Sequence, residues 1–459
     1  MTRPSRRAGR RSGSTRLDDH PTVRAVRARQ DTLPVGRRPP LDADALRTLC
    51  LGAGADDVGF VELDRPALAD QRDDVLTALP GARALISIVC RTNRDAIRSP
   101  ARSISNLEFH HRSEETVDVA RRVVTALERQ GVRAISPPVG FPMEMDRWPG
   151  KVWVVGHKPV AEQAGLGRMG IHRNVIHPRF GNFILLDTVV VDTEISAYGR
   201  PLDYNPCLEC KLCVTACPTG AISKTGEFDF SACTTHNYRE FMSGFGDWVD
   251  TVAEAGSAAA YREKVDDAET VSMWQSLAFG PNYKAAYCVA VCPAGEDVIG
   301  PYLEDRRSHL DQVVRPLQDT VETVYVLDGG DVQEYVPRRF PHKTTKVVHL
   351  GIRPTSIAGF ATGLPLLFQR RPAAGLDAVY HLTFTGSEQR TLTVTIRDRR
   401  LDVRDGLHGH PDLRLHADAD TWLRFLAGRA SLVRALATRR FRLRSDPRLL
   451  ARFGRCFPS

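Results

Sequence analysis

A mixed α/β and α+β multidomain fold follows from three observations on this chain of 459 residues. Its length, at about 150 residues per domain, asks for roughly three domains. Strand-like apolar runs alternate with helical periodicity over residues 41–200, and a separate pattern of period two begins at Tyr380. A composition that is 42% hydrophobic and 26% charged excludes a disordered or collagenous chain. No apolar run reaches the roughly eighteen residues of a membrane-spanning helix.

Residues 1–40, rich in Arg, Pro, Ser and Gly, show neither helical nor strand periodicity and predict a disordered basic arm. Arg6-Arg7 and Arg10-Arg11 suggest a twin-arginine signal, but no apolar segment follows them before Pro34, so the expected location is cytoplasmic. Ala84–Val89 reads as a buried strand, as do Lys151–Val155 and Phe183–Val191. Ser113 caps a helix with Glu114 and Glu115 in its first turn; Val117, Ala120, Val123, Val124 and Leu127 form its apolar face, and Gly131 stops it. Strands alternating with helices predict an α/β body over 41–200. Gly52, Gly54 and Gly59 do not have the G-x-G-x-x-G spacing of a dinucleotide site.

Seven of the ten cysteines fall in two tight clusters, which suits metal binding in a reducing compartment. Cys207, Cys210, Cys213 and Cys217, followed by Pro218, form the run C-x2-C-x2-C-x3-C-P. Three thiolates so spaced ligate one iron-sulfur cluster, and the fourth, before Pro, points to a second. Cys233 and the ending Cys288-x3-Cys292-Pro293 supply the rest. Crossed ligation then gives Cys207, Cys210, Cys213 and Cys292 to cluster one, and Cys217, Cys233 and Cys288 to cluster two. One ligand is missing, because Ala285 stands where a second complete run would place a cysteine. A 3Fe-4S centre, a non-cysteine ligand such as His236, and an open iron are the alternatives. A structural zinc site is the competing assignment, although zinc knuckles usually come as separated C-x2-C pairs. Residues 234–287, between the two cysteine groups, hold nine aromatic side chains in 54 positions and read as an insertion that packs a core or walls a cavity. The ferredoxin-like domain spans 201–305.

Leu79–Ile88 (LPGARALISI), Ala164–Gly170 (AGLGRMG) and the ordered cysteine groups resemble the superfamily of epoxyqueuosine reductases and reductive dehalogenases over about 45–305. The resemblance implies a nitroreductase-like α/β domain that binds a corrinoid (cobalamin), joined to a bacterial two-cluster ferredoxin-like domain, and a reductive reaction. It places the loop Gly165-Leu166-Gly167, with Gly170, His172 and Asn174, beside the corrinoid, and His177 in the same neighbourhood. Epoxyqueuosine reductases carry an acidic proton donor shortly before the Gly-Leu-Gly loop, but here the neighbourhood reads Gly156–Gln163 (GHKPVAEQ). His157 and Tyr204 are the candidate catalytic proton donors in its place.

Residues 306–375 form a connector with many Pro and Gly and one apolar stretch, Ile357–Phe368. From Tyr380, alternation at Tyr380, Leu382, Phe384, then Leu392, Val394, Ile396, then Leu401, Val403, then Leu413, Leu415 predicts a four-stranded meander. Helices at 420–426 and 432–436, a strand at 441–444 and a last helix at 447–453 complete the order. This order resembles the sterol carrier protein type-2 family over about 375–457, an α+β domain with an apolar tunnel for acyl or sterol-like molecules. Trp422, Phe425, Leu426, Leu432, Leu436 and Phe453 are expected to line such a tunnel or to fill a core.

The net charge of +8 is unevenly spread. The arm carries +8, residues 376–459 carry +7, and residues 41–375 carry −7. Two basic ends around an acidic redox body fit an anionic lipid, an acyl ligand or weak contact with a membrane surface better than a nucleic acid. The sequence thus predicts an iron-sulfur oxidoreductase fed by an external ferredoxin or flavodoxin and acting on a hydrophobic substrate. The competing reading is a non-enzymatic lipid-binding electron carrier.

Overall fold

The computed structural model describes residues 17–30, 39–147, 151–349, 351, 353–444 and 446–458. It divides into two units, Met1–Pro40 and Leu41–Ser459. Within the arm the expectation of no regular structure is corrected, because Pro21–Gln30 is a helix behind a 3-10 turn at Leu17–Asp19. Local chemistry suffices for it. Pro21 occupies the first helical position, His20 Nδ1 accepts the Thr22 N–H, and Arg24 reaches Asp19 at 2.9 Å.

The second unit opens with a four-stranded sheet, built from β1 (Asp57–Glu62), β2 (Ala84–Arg91), β3 (Ala134–Ile135) and, after a short hairpin of β4 (Arg168–Met169) and β5 (Val175–Ile176), β6 (Ile184–Val191). The order is β1-β2-β6-β3, and every pairing is antiparallel. Seven consecutive residues of β2 are buried, because helices cover both faces. Ala84, Ile86, Ile88 and Cys90 meet Val119, Val123 and Leu127 of the helix Arg102–Arg129, whereas Leu85 and Val89 meet Val75 and Val160 on the other side. A continuous apolar run is thus split by the two-residue period of the strand.

Two expectations are corrected here. Lys151–Val155 forms no strand; β1 and β3 hold the sheet edges, and Val152 and Val155 are buried from a loop. The helix expected to begin at Ser113 begins at Arg102. Its extra turns are held by tertiary contact: Asn106 donates to the Asn282 side chain at 2.5 Å and accepts the Tyr283 N–H at 3.0 Å.

The cysteine-bearing segment joins the body through paired glycines. A Cβ on Gly181 (φ +63°) would lie 1.9 Å from the Ala294 carbonyl, and one on Gly295 would lie 2.4 Å from the Gly181 nitrogen. The expected connector contains a β-α-β unit: β7 (Thr323–Leu327), the helix Val332–Arg339, and β8 (Thr344–Val348) parallel to β7. Its second part, the helix Ile357–Leu367, sends Ile357, Phe360, Ala361 and Leu364 into the C-terminal core.

That core lies under β9 (Ala378–Thr385), β10 (Arg390–Arg397), β11 (Arg400–Asp405), β12 (Leu413–Asp418) and β13 (Phe441–Arg444), in the order β11-β10-β9-β12-β13. The meander is corrected to three strands, because β12 returns to pair parallel with β9. The loop 406–412 makes the crossing, fastened by His408 N–H to Thr393 Oγ1, His381 to the His408 carbonyl, and Val379 N–H to Asp412. Phe360, Phe384, Phe425 and Phe441 surround Trp422 with ring centroids 5.4–5.8 Å away, so aromatic packing fills the middle of this layer. Phe453 is buried as well, Phe425, Leu426 and Leu432 are partly buried, and Leu436 is exposed.

Candidate metal centres and the polar cluster beside them

The two cysteine runs adopt one local conformation twice. Lys211 (φ 64°) and Ala286 (φ 52°) are both left-handed, and each opens a single helical turn, Leu212–Ala216 and Tyr287–Ala290. In each copy the second helical residue is a cysteine, Cys213 or Cys288, and a Cys-Pro ends the motif. Proline cannot continue the helix, so the chain turns away after that thiol. The turns pack together in one core with Ala285, Tyr287, Ala290 and Val291. Superposing the copies sets Ala285 at the place of Cys210.

The thiols gather in two sets. Burial pushes the Cys292 thiol up to about 12, with Cys210 and Cys207 adding to it, and Cys213 is raised by burial and then by Cys288, Cys292, Cys210 and Cys207. Burial raises Cys233 and brings Cys288 to about 12; Cys217 is the next largest influence on both. Cys207, Cys210, Cys213 and Cys292 act on one another, Cys217, Cys233 and Cys288 make up the other group, and Cys288 also acts on Cys213 and Cys292, so the two groups adjoin. Among the described residues no three His, Cys, Asp or Glu side chains converge as they would around a single ion. The burial that raises the Cys210, Cys213, Cys233, Cys288 and Cys292 thiols is relieved when iron takes the proton's place, so the donor chemistry fits iron-sulfur clusters.

Buried cations confirm that fit from the other side. All three nitrogens of the Arg102 guanidinium are buried without a hydrogen-bond partner, while its carbon lies 5.2 Å from the centroid of the Tyr287 ring, one residue from Cys288. Arg98 Nε donates to the Ala290 carbonyl at 3.2 Å, but its Nη2 is buried and unpartnered. Buried, unpaired charge is costly, and an anionic cluster is a partner of the right sign.

The predicted corrinoid neighbours form a polar cluster joined to the second thiol set. Lys158 Nζ donates to Asn174 Oδ1 at 2.8 Å and to the Arg173 carbonyl at 2.9 Å. His172 accepts the Asn174 N–H on Nδ1, and its Nε2 lies 3.3 Å from the Asn182 amide, which reaches the Cys288 carbonyl. Burial, then Lys158, lowers His172 to about 4, so it is neutral. The glycines, by contrast, do not fit a corrinoid cradle. A Cβ on Gly165 would meet the Arg200 carbonyl at 2.6 Å, one on Gly167 the Ile176 carbonyl at 2.5 Å, and one on Gly170 the His172 ring at 2.8 Å. The chain's own packing demands these glycines.

His157 is turned away from this cluster, with Nδ1 2.9 Å from Thr188 Oγ1 and Nε2 3.1 Å from the Pro138 carbonyl. Burial lowers its pKa, and both ring nitrogens are engaged, so the expected proton donor is a neutral structural histidine. Tyr204 is half exposed. His177 pairs with Asp57 at 3.0 Å. His236 shares a helix with Cys233; its ring stacks on Tyr325 and its Nδ1 accepts the Tyr325 N–H, while its Nε2 is buried without a hydrogen-bond partner. Sequence reasoning missed Arg98, Arg102 and Lys158. The four-residue spacing of Arg94, Arg98 and Arg102, and the scarcity of lysine among the cations, were the available signals.

A 4Fe-4S binding domain model matches residues 201–223, and the SCP-2 sterol transfer family model matches 369–458. An epoxyqueuosine reductase of Synechococcus sp. (strain CC9605) is 27% identical over 251 residues, 51% of this chain and 73% of that protein. Over about half its length the chain is thus similar to epoxyqueuosine reductases. Relatives in Leadbetterella byssophila (35% over 86 residues) and Escherichia coli K12 (34% over 79 residues) match 19% and 17% of this chain, and the matches span only 25% and 20% of those proteins. Among solved structures, epoxyqueuosine reductase from Streptococcus thermophilus covers 60% of this chain and 78% of its own at 16% identity and a TM-score of 0.34. A reductive dehalogenase described as B12-dependent covers 51% and 36% at 18% identity and a TM-score of 0.34. No helix among the described residues is long and apolar enough to cross a membrane.

Proposed function

We propose that the chain is a cytoplasmic iron-sulfur oxidoreductase that takes electrons from an external ferredoxin or flavodoxin and reduces a small hydrophobic substrate. The observation that carries this reading is the duplicated turn whose thiols fall into two crossed sets. Cys207, Cys210, Cys213 and Cys292 hold cluster one; Cys217, Cys233 and Cys288 hold cluster two, a three-iron centre because Ala285 offers no fourth thiolate. When bound, such clusters supply single-electron transfer. The protein's own contribution is to exclude water from the thiols, to hold Lys158 beside Cys233 and Cys288, and to carry the polar cluster of His172, Asn174 and Asn182 at that face. With His157 engaged, Tyr204 is the side chain left to deliver a proton. The SCP-2 module raises the local concentration of an apolar substrate. No step is derived through a corrinoid, since the glycines expected to cradle one are closed against the chain itself.

The competing reading, a lipid-binding electron carrier, is favoured by the same SCP-2 match. Anaerobic reconstitution with iron and sulfide followed by titration with cobalamin separates them. Substrate-dependent oxidation of the reduced protein supports the oxidoreductase, and stoichiometric cobalamin binding with a changed absorption spectrum overturns the reading that the glycine loop is closed to a corrinoid. Clusters without cobalamin binding, and no substrate-dependent oxidation of the reduced protein by acyl compounds or by a tRNA stem-loop, leave electron transfer alone.

A further inference from the structure

We infer that Arg98 and Arg102, one helical turn apart in sequence at the entry to the helix Arg102–Arg129, act as built-in counter-charges of the two clusters, Arg98 for cluster one and Arg102 for cluster two. The inference rests on the two-cluster reading above. Arg102 is the sharper case, because Nε, Nη1 and Nη2 are all buried and none has a partner. The nearby carboxylate, Glu322, is already engaged by the Tyr287 hydroxyl at 3.0 Å and by Lys343 Nζ at 2.8 Å. The guanidinium instead stacks on Tyr287, next to Cys288. Arg98 stacks on Phe183 at 5.1 Å, donates once to the Ala290 carbonyl, two residues from Cys292, and leaves Nη2 buried without a partner.

A cluster held by thiolates is anionic, and it gains one more negative charge on reduction. A fixed cation in a low-dielectric interior therefore stabilises the reduced form more than the oxidised one and raises the reduction potential. Lys158, whose head group is tied to Asn174 and the Arg173 carbonyl on the exposed side, also feels the charge of Cys288 and Cys233.

The experiment is a potentiometric titration of the anaerobically reconstituted full chain, followed by electron paramagnetic resonance, for the natural protein, Arg102→Met and Arg102→Lys. The expected result is a lower midpoint for cluster two in Arg102→Met, an unmoved midpoint for cluster one, and recovery of most of the shift in Arg102→Lys. An unchanged cluster-two midpoint in an iron-replete Arg102→Met protein, or equal shifts in the Met and Lys variants, overturns the inference. Where Arg102→Met fails to assemble clusters, Arg98→Met supplies the counterpart: only the cluster-one midpoint should fall, and no shift or an equal shift of both refutes the assignment. Iron content is read separately, so a natural protein that assembles no clusters refutes the proposed function, whereas assembled clusters with immobile midpoints refute this inference alone.

Discussion

Replacing Ala285 by cysteine tests the composition of cluster two directly. Ala285 is 7% exposed, its N–H is held by the Asn237 side-chain oxygen at 2.9 Å, and it occupies the position that Cys210 occupies in the other copy of the turn. An added sulfur at so buried a site has two possible fates. Facing an iron position, it becomes a ligand with a bond of about 2.3 Å, the usual metal-thiolate length. Iron per chain then rises from about seven to about eight, and the oxidised cluster resists further loss of iron to ferricyanide. Facing packed protein, it is overpacking, at a cost of about 1–3 kcal/mol and with no change in iron. The assay is iron and sulfide analysis of the reconstituted protein with and without ferricyanide, beside thermal unfolding of both variants. The reasoning is refuted if the natural protein already holds about eight ferricyanide-resistant irons, or if Ala285→Cys loses stability and gains no iron.

Other sites give independent tests. Asp187 is fully buried beside His157, and burial raises its carboxyl from 3.8 to about 7. The native state therefore holds a proton that the unfolded chain has released, so this group's stabilisation is present at low pH and is lost as pH rises from about 4 to about 7. Asp187→Asn should flatten that loss, worth about 3 kcal/mol at most between pH 5 and pH 8, in unfolding curves at the two pH values. Gly181→Ala combines a left-handed backbone with a carbonyl at 1.9 Å from the new Cβ, and should cost about 2–5 kcal/mol and weaken the join between body and ferredoxin-like segment, read by denaturant unfolding. Trp422→Ala should destabilise the C-terminal module by about 3–5 kcal/mol without changing iron content, since Trp422 anchors an aromatic core that contains none of the seven clustered cysteines. Tyr204→Phe should leave cluster content intact and lower turnover with any substrate found; unchanged turnover removes Tyr204 from the proton path.

Sequence alone determined what local chemistry controls. Spacing of cysteines against proline is a property of a few consecutive residues, and it announced both metal sets and the gap at Ala285. The continuous apolar runs of β2 and β6, the alternation within β9 and β10, and the final strand and helix were legible because apolar patterning reports which faces are buried. Tertiary structure decided what depends on partners distant in the chain. Whether Val152 and Val155 sit in a strand depends on a free sheet edge; where β12 pairs depends on the crossing fastened by Thr393 and His381; and the early start of the helix Arg102–Arg129 depends on Asn106 meeting Tyr283. The same holds for function. Nothing in a run of letters tells a His157 whose two nitrogens are engaged from one aimed at a substrate, or an arginine in water from Arg102, whose guanidinium is enclosed without a partner beside a cysteine far along the sequence.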